Sequence, residues 1–285
     1  MWSSWETATQ FDFKEVVYEK KYRNSGGGIA RVLSNRPQKL NALTNIGFDE
    51  LVAAIGDADN DSNIGVVVIS CIGDNFGVGG DMQWEASGGL EKLFDQGAQD
   101  MGNLAGGFDA AVTNCSKPVI AAVKGYCIGG HNHLAYHCDL TIAADNAIFG
   151  QNGPRVASPI HGYAVSSLAH VVGIKKAKEI WMLCRHYTAQ QMLEMGLINT
   201  VVPLSKLDEE VDKWCNEMLN LVPACLTLVK KSFISIDKYL EDDMGKVLND
   251  VAPNFFTLPD VAEAHQAFFE KRTPDFWKNA KKASE

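Results

Sequence analysis

No apolar run in this sequence approaches the roughly 20 residues needed to cross a bilayer, so no membrane-spanning helix and no membrane partner are expected. The first residues, Met1-Trp2-Ser3-Ser4-Trp5-Glu6, carry neither a basic region nor an apolar stretch. No secretory signal is visible there, and a cytoplasmic protein is expected. Positive charge is in short supply: 26 Lys+Arg against 35 Asp+Glu leave a net charge of -9. That balance argues against a nucleic-acid partner, whose binding rests on an excess of cations over phosphate. The seven cysteines are scattered, odd in number and without a CxxC pair, which suits buried free thiols in a reducing compartment. Also missing are GxxxxGK[ST], a GxGxxG with a downstream acid, HExxH and GxSxG. Their absence removes the usual signatures of nucleotide loops, zinc proteases and serine hydrolases.

What is present is an ordinary globular composition, 46% hydrophobic and 21% charged over 285 residues, enough for one large core plus an appendage. Residues 1–14 read as a loose leader. Strand patterns follow at Glu15 to Tyr22 and Ile29 to Leu33, then a helical spacing over Asn45 to Asp57 and a continuous apolar run from Gly65 to Ile72. Gln83 to Gly107 is polar and Gly-rich, and predicts a mobile segment with one or two helical turns. Pro118 to Val123, Leu140 to Ala144 and Ala147 to Phe149 predict strands, with a helix from about His131. Helices then dominate: Tyr163 to Val172, Lys175 to Cys184, Thr188 to Met195, and a longer one after Lys206. The order predicts an α/β core over 15–203 that holds the active site, and a helical region over 204–285.

Two glycine-rich turns each follow a buried strand: Asp74-Asn75-Phe76-Gly77-Val78-Gly79-Gly80-Asp81 and Gly125-Tyr126-Cys127-Ile128-Gly129-Gly130-His131-Asn132-His133. Glycine lets the backbone turn sharply and expose its N–H groups, and a helix start adds unpaired donors and the positive end of a dipole. Two such turns can each give one N–H to a single oxygen on which negative charge develops.

Together with Asn35-Arg36-Pro37-Gln38-Lys39-Leu40-Asn41-Ala42-Leu43 and Lys117-Pro118-Val119-Ile120-Ala121-Ala122-Val123-Lys124, these turns resemble the enoyl-CoA hydratase (crotonase) superfamily, from about Glu15 to Phe276. The resemblance implies a spiral of ββα units, a C-terminal helical region that trimerises, and trimers that pair into hexamers. It also implies an oxyanion hole from the backbone N–H groups of Gly80 and Gly130. Coenzyme A enters as part of an acyl-CoA substrate, with no tightly bound cofactor. The positions implied for CoA are Lys39, Leu40, Ala42, Val78, Gly79 and Asp81, with Phe268 and Lys271 supplied by a neighbouring subunit.

Within that superfamily, Phe149-Gly150-Gln151-Asn152-Gly153-Pro154-Arg155, Lys175 to Trp181 and Lys271 to Phe276 are similar to 1,4-dihydroxy-2-naphthoyl-CoA synthases and 2-ketocyclohexanecarboxyl-CoA hydrolases. Gly153 stands where hydratases carry a catalytic Glu. Gln151, Gly153 and Trp181 match a bicarbonate site of the synthases, with Asn152 in place of Thr, which implies a bound bicarbonate or a water there. The sequence departs from that group at Ile160, where the relatives have Asp, and at Phe256, where they have Tyr. His133 corresponds to the first catalytic Glu of hydratases. His161 matches an Asp of hydrolases that act on 6-oxocyclohexene-carbonyl-CoA, and Ser158 matches a substrate-side Ser of the synthases.

Imidazole takes or gives a proton near neutrality, so His133 and His161 are the candidates to activate a water beside the oxyanion hole. The expected reaction is addition of water to an acyl-CoA through a thioester enolate. It is either hydrolytic C–C opening of a cyclic β-oxoacyl-CoA or hydration of an alicyclic enoyl-CoA. Two other readings stand beside it: a CoA-independent β-diketone hydrolase, and an inactive or RNA-binding scaffold. A metal at His131, His133 and His137 is weighed and set aside, since the glycine turn already has a use.

Overall fold

A computed structural model describes residues 2–89, 91, 107–160, 162–233, 250–252 and 254–276. The chain winds as a spiral in which each turn gives a strand to one sheet, an extended stretch to a second layer, and then a helix. Strand β1 (Glu6–Thr7) lies on the edge beside β2 (Val16–Tyr22), which pairs antiparallel with β3 (Gly28–Ser34). The first turn runs from β3 through Leu43 into helix α1 (Asn45–Asn60). The second runs from β4 (Ile64–Cys71) through Gly77 and Gly80 into the short α2 (Met82–Ala86). Helix α3 (Phe108–Asn114) then leads to β5 (Val119–Val123), β6 (Tyr126–Ile128) and α4 (Gly130–His137), the third turn. The fourth is β7 (Leu140–Ala144), β8 (Ile148–Gly150) and α5 (Gly153–Val156).

The main sheet has the order β1-β2-β3-β4-β5-β7-β10, where β10 is Thr200–Val202, and it is parallel from β3 onward. The second sheet is β6-β8-β9, with β9 at His186–Thr188. Bridges Leu43↔Gly80 and Gly77↔Cys127 extend the second layer across successive turns. This stacking sets the site, because it brings the segment before α2 against the segment before α4.

Local sequence explains the elements. Thr44 caps α1 by accepting from the Ile46 N–H, and Leu51, Ala54, Ile55 and Ala58 recur on one buried face. Strand β4 is buried on both faces, as its unbroken apolar run predicts. The remaining helices are α6 (Tyr163–Val172), α7 (Ile174–Leu183), α8 (Ala189–Glu194, entered through a Thr188–Gln191 capping box), α9 (Leu207–Leu219), α10 (Pro223–Ser232) and α11 (Pro259–Phe269).

The structure alters several expectations. In the expected leader, residues 2–14 are held down: β1 pairs with β2, Trp2 and Trp5 cover Lys21 at 4.8 and 4.5 Å, and Phe11 and Phe13 pack on the core. Glu50 of α1 explains the anchoring, since its carboxylate accepts the N–H groups of Lys14, Glu15 and Val16 at 2.7–3.0 Å. Helix α9 lies inside the region expected to be a C-terminal appendage. Its Leu207, Val211 and Cys215 form one core cluster with Ile29, Val66, Val68, Ile120 and Ile142 of the sheet. The segment expected to be mobile over 83–107 begins with α2, and most of the rest lies outside the described residues. No helix among the described residues is long and apolar enough to cross a membrane.

Candidate active site

The two glycine turns meet. Gly79 has φ +90, a conformation glycine adopts freely, and a Cβ there would sit 2.9 Å from the Gly130 nitrogen. Backbone bonds lock the approach: Leu43 N–H to Gly79 O, Asp81 N–H to Leu43 O, Gly77 N–H to Tyr126 O and Ile128 N–H to Gly77 O, all 2.8–3.0 Å. Gly129, at φ 59, turns the chain into α4, so that Gly130 is the first helical residue. Neither the Gly80 nor the Gly130 N–H enters a hydrogen bond among the described residues.

His131 fixes this arrangement from behind. It is fully buried, its Nδ1 accepts the Gly79 N–H at 3.0 Å, and its Nε2 faces the Ser34 hydroxyl at 3.2 Å. Accepting at Nδ1 leaves the proton on Nε2, which then donates to Ser34. Burial, with the neighbouring His133, pushes its pKa down to about 3, so the ring is neutral.

Gly80 and Gly130 line one cleft of about 870 Å³, within the range of small-molecule sites. Of the residues expected at the site, Lys39, Leu40, Ala42, Val78, Gly79, Asp81, His133, Gln151, Asn152, Gly153, Ser158, Trp181, Phe268 and Lys271 also line it. His161 lies outside the described residues. Phe256 is not among the lining residues, whereas Ile160 is. Phe268 and Lys271 were expected from a neighbouring subunit. Here they reach the cleft of their own chain, because α11 packs against α5.

The 39–42 segment owes its shape to Asn41. Leu40 and Asn41 both have left-handed φ (51 and 57), strained for non-glycine residues. The fully buried Asn41 side chain compensates by accepting from Arg36 N–H and donating to the Ile72 and Asn75 carbonyls. Asp81 is equally structural. It caps α2 through Gln83 and Trp84 and pairs with Arg36 Nη1 at 3.0 Å. Burial raises its pKa, but the Trp84 and Gln83 N–H groups and the Arg36 guanidinium outweigh that and hold the carboxyl below its ordinary value.

The histidines part ways. His133 Nε2 is 3.2 Å from Gln151 Oε1, with its ring against Trp181. Burial lowers its pKa to about 4, so it is neutral at pH 7, with the lone pair on Nδ1 if Oε1 accepts from Nε2. His137 is turned away from the cleft. Its Nε2 is 2.9 Å from the Ser167 hydroxyl, and its Nδ1 is 2.8 Å from Asp109 Oδ1, an ion-pair distance that does not align as a hydrogen bond. This Asp-His-Ser group joins α3, α4 and α6 in the core, and none of the three lines the cleft. No cluster of three or more metal-ligating side chains occurs among the described residues.

Sequence reasoning missed Glu85. It lines the cleft, its Oε2 is buried without a partner among the described residues, and a Cβ on Gly80 would collide with its Oε1. Burial first, and Asp81 second, raise its pKa to about 7. The available signal was spacing, since Asp81 and Glu85 stand i, i+4 just after the first glycine turn. Phe48, Phe108 and His186 were missed as well, and they enter the wall from α1, α3 and β9.

These shifts act on stability with opposite signs. His131 and His133 have folded pKa values below the unfolded one, so the unfolded state binds more protons beneath about pH 6.5 and stability falls as pH drops toward 4. Glu85 has a raised folded pKa, so its ionisation costs stability as pH rises from about 4.5 to 7. Two histidines against one carboxyl give a net loss on acidification. Urea midpoints should fall between pH 6.5 and 4.5, and replacing Glu85 by Gln should steepen that fall. A flat profile would remove the neutral buried imidazoles.

The geometry thus defines a ββα-spiral α/β protein with a ligand cleft at the junction of two glycine turns. A family model described as Enoyl-CoA hydratase/isomerase matches residues 24–279. The chain is also similar to solved structures. An enoyl-CoA hydratase from Mycobacterium avium subsp. paratuberculosis K-10 has 24% identity over 93% of this chain and 99% of that one, TM-score 0.78. One from Bacillus anthracis has 25% identity over 92% and 99%, TM-score 0.67. Methylmalonyl-CoA decarboxylase in complex with 2-nitronate-propionyl-CoA has 22% identity over 93% and 98%, TM-score 0.79. The chain belongs to the enoyl-CoA hydratase/isomerase family and shares its crotonase fold, so its class is that of acyl-CoA-processing enzymes.

Proposed function

We propose that the cleft holds an acyl-CoA with its thioester oxygen between the Gly80 and Gly130 N–H groups, and that the enzyme adds water through the thioester enolate. The observation that carries this is the contact of the two glycine turns on one cleft wall, with both N–H groups uncommitted among the described residues. Such preorganised donors act where charge develops, not on the ground state. The reaction is ring opening of a cyclic β-oxoacyl-CoA or hydration of an alicyclic enoyl-CoA. In ring opening, water oxygen bonds to the ring ketone carbon and its proton passes to His133 Nδ1. The C–C bond breaks, its electron pair enters the enolate, and the α-carbon is then protonated.

Gln151 Nε2, Trp181 Nε1 and Asn152 Oδ1 are buried without partners among the described residues, on the same cleft wall as Gly153. Two donors and an acceptor suit a water, which both gives and takes hydrogen bonds. Bicarbonate, with acceptor oxygens and one O–H donor, suits the same three groups. Ser158, which lines the cleft, and His161 remain further candidates.

Calorimetric titration with CoA thioesters, followed by mass spectrometry of cyclic and linear acyl-CoAs, tests the reading. Binding with a water-sized mass gain supports it. Binding without turnover favours an inactive scaffold, and no binding favours a β-diketone hydrolase. Lys271, which lines the cleft with Phe268, is the candidate to meet the anionic end of CoA. Lys271→Ala should raise KM about fivefold, the size of a ~1 kcal/mol exposed ion pair, with kcat little changed. A pure kcat defect would contradict the anchor.

A homotrimer or hexamer is part of the proposal, supported by exposed apolar side chains such as Leu228, Val229 and Phe233 near α10 and Ile174 and Met182 on α7. Sedimentation should give three or six times the mass of one chain, and a monomer would overturn it.

A further inference from the structure

We propose that Glu85 is the residue that moves the proton at the carbon next to the thioester carbonyl, a role that rests on the acyl-CoA reading above. The case begins with position. Glu85 stands on α2 directly after the first glycine turn, and its Oε1 occupies the space a side chain on Gly80 would need. A thioester oxygen seated on the Gly80 N–H therefore brings its α-carbon to the same wall. Glu85 Oε2 is buried with no hydrogen-bond partner among the described residues, which is costly for a carboxyl unless a ligand or a proton uses it.

The surroundings leave this group poised. The titratable and charged residues sharing its cleft are Asp81, Lys39, Lys271, Tyr126, His133 and His186. Asp81 is held by Arg36 and stays ionised, so it opposes a second negative charge at Glu85. Lys39 Nζ reaches toward Gln83 Oε1 at 3.4 Å. His133 and His186 both have lowered pKa values, from burial first, so neither supplies a cation at neutral pH. A carboxyl brought to about 7 by burial and Asp81 is populated in both forms at that pH, as proton transfer requires.

The step balances in both directions. As base, the Glu85 carboxylate takes the α-proton, the C–H electron pair enters the enolate, and the carbonyl oxygen gains negative charge on Gly80 and Gly130. As acid, protonated Glu85 returns a proton to that carbon as the enolate collapses. In water addition, His133 receives the proton of the attacking water while Glu85 delivers its own to carbon, and solvent exchange resets both.

The test needs no knowledge of the natural acyl group. Butyryl-CoA is incubated with the full-length protein in D2O, and deuterium at its α-carbon is followed by mass spectrometry. The wild-type protein should exchange, with a rate that climbs with pH to a midpoint near 7. Glu85→Gln should exchange at least about 100-fold more slowly, with butyryl-CoA affinity within about threefold and unchanged far-UV circular dichroism. Glu85→Asp should recover part of the rate. Equal exchange by wild type and Glu85→Gln overturns the role of Glu85 while leaving the acyl-CoA reading intact. So does butyryl-CoA binding by wild type without exchange. Failure of wild type to bind butyryl-CoA overturns the acyl-CoA reading itself. Should Glu85→Gln not fold, the wild-type profile decides, because a midpoint near 4 or a flat profile contradicts the assignment.

Discussion

Replacing Gly130 by proline should lower turnover about 100- to 1,000-fold, the loss typical when one oxyanion donor of about 2.7–4 kcal/mol is removed. The substitution deletes a single N–H and puts the ring Cδ in its place, so it also narrows the space for the thioester oxygen. Residue 130 is the first helical position of α4, where proline is tolerated because that N–H has no partner within the helix. Gly130→Ala is the control: its Cβ would meet Gly79 Cα at 3.4 Å and Phe48 Cζ at 3.9 Å, ordinary contacts, and the N–H is kept. Steady-state kinetics on the best substrate of the acyl-CoA panel should therefore separate the two variants by two orders of magnitude or more. Equal rates would mean that the Gly130 N–H carries no charge in the transition state.

The second large effect belongs to His133. His133→Ala should lower kcat by at least about 100-fold, the usual scale for a positioned acid or base, with a smaller change in KM. The ring accepts a proton only from its neutral form, and burial keeps it neutral far below pH 7. Activity should therefore fall as pH rises through about 7, where Glu85 loses the proton it delivers to carbon, and on the acid side only toward about 4, where His133 takes up a proton, not near 6.5 as an exposed histidine would give. Near-normal turnover of His133→Ala would leave the ring as a wall residue that orients Gln151.

Much of the fold was legible because its signals are local. The buried run at β4, the helical spacing of α1 and the two strand-glycine-helix junctions all declare themselves within a dozen residues. The short strands β9 and β10 were not legible, since three residues give too little periodicity and their partners β8 and β7 lie far back in the chain. The leader failed for a related reason: its anchor, Glu50, is some 35 residues away.

The candidate site divides along the same line. The glycine pair could be read because backbone exposure needs glycine. The separate fates of three histidines within seven residues could not. His131 turns to Gly79 and Ser34, His133 to Gln151, and His137 to Ser167, and each partner comes from another turn of the spiral or a later helix. Glu85 was hidden because a lone Glu on a short helix reads as solvated, and only tertiary burial changes its chemistry. The C-terminal residues Phe268 and Lys271 were expected from a neighbouring subunit and line the cleft of their own chain, since sequence cannot say whether α11 folds back on its own core.

The most direct test is a crystal structure of the protein bound to a saturated acyl-CoA such as butyryl-CoA, read at the thioester oxygen. The account predicts that this oxygen lies about 2.7–3.1 Å from both the Gly80 and Gly130 nitrogens. A thioester oxygen more than about 3.5 Å from either nitrogen, or turned toward another wall of the cleft, would contradict it.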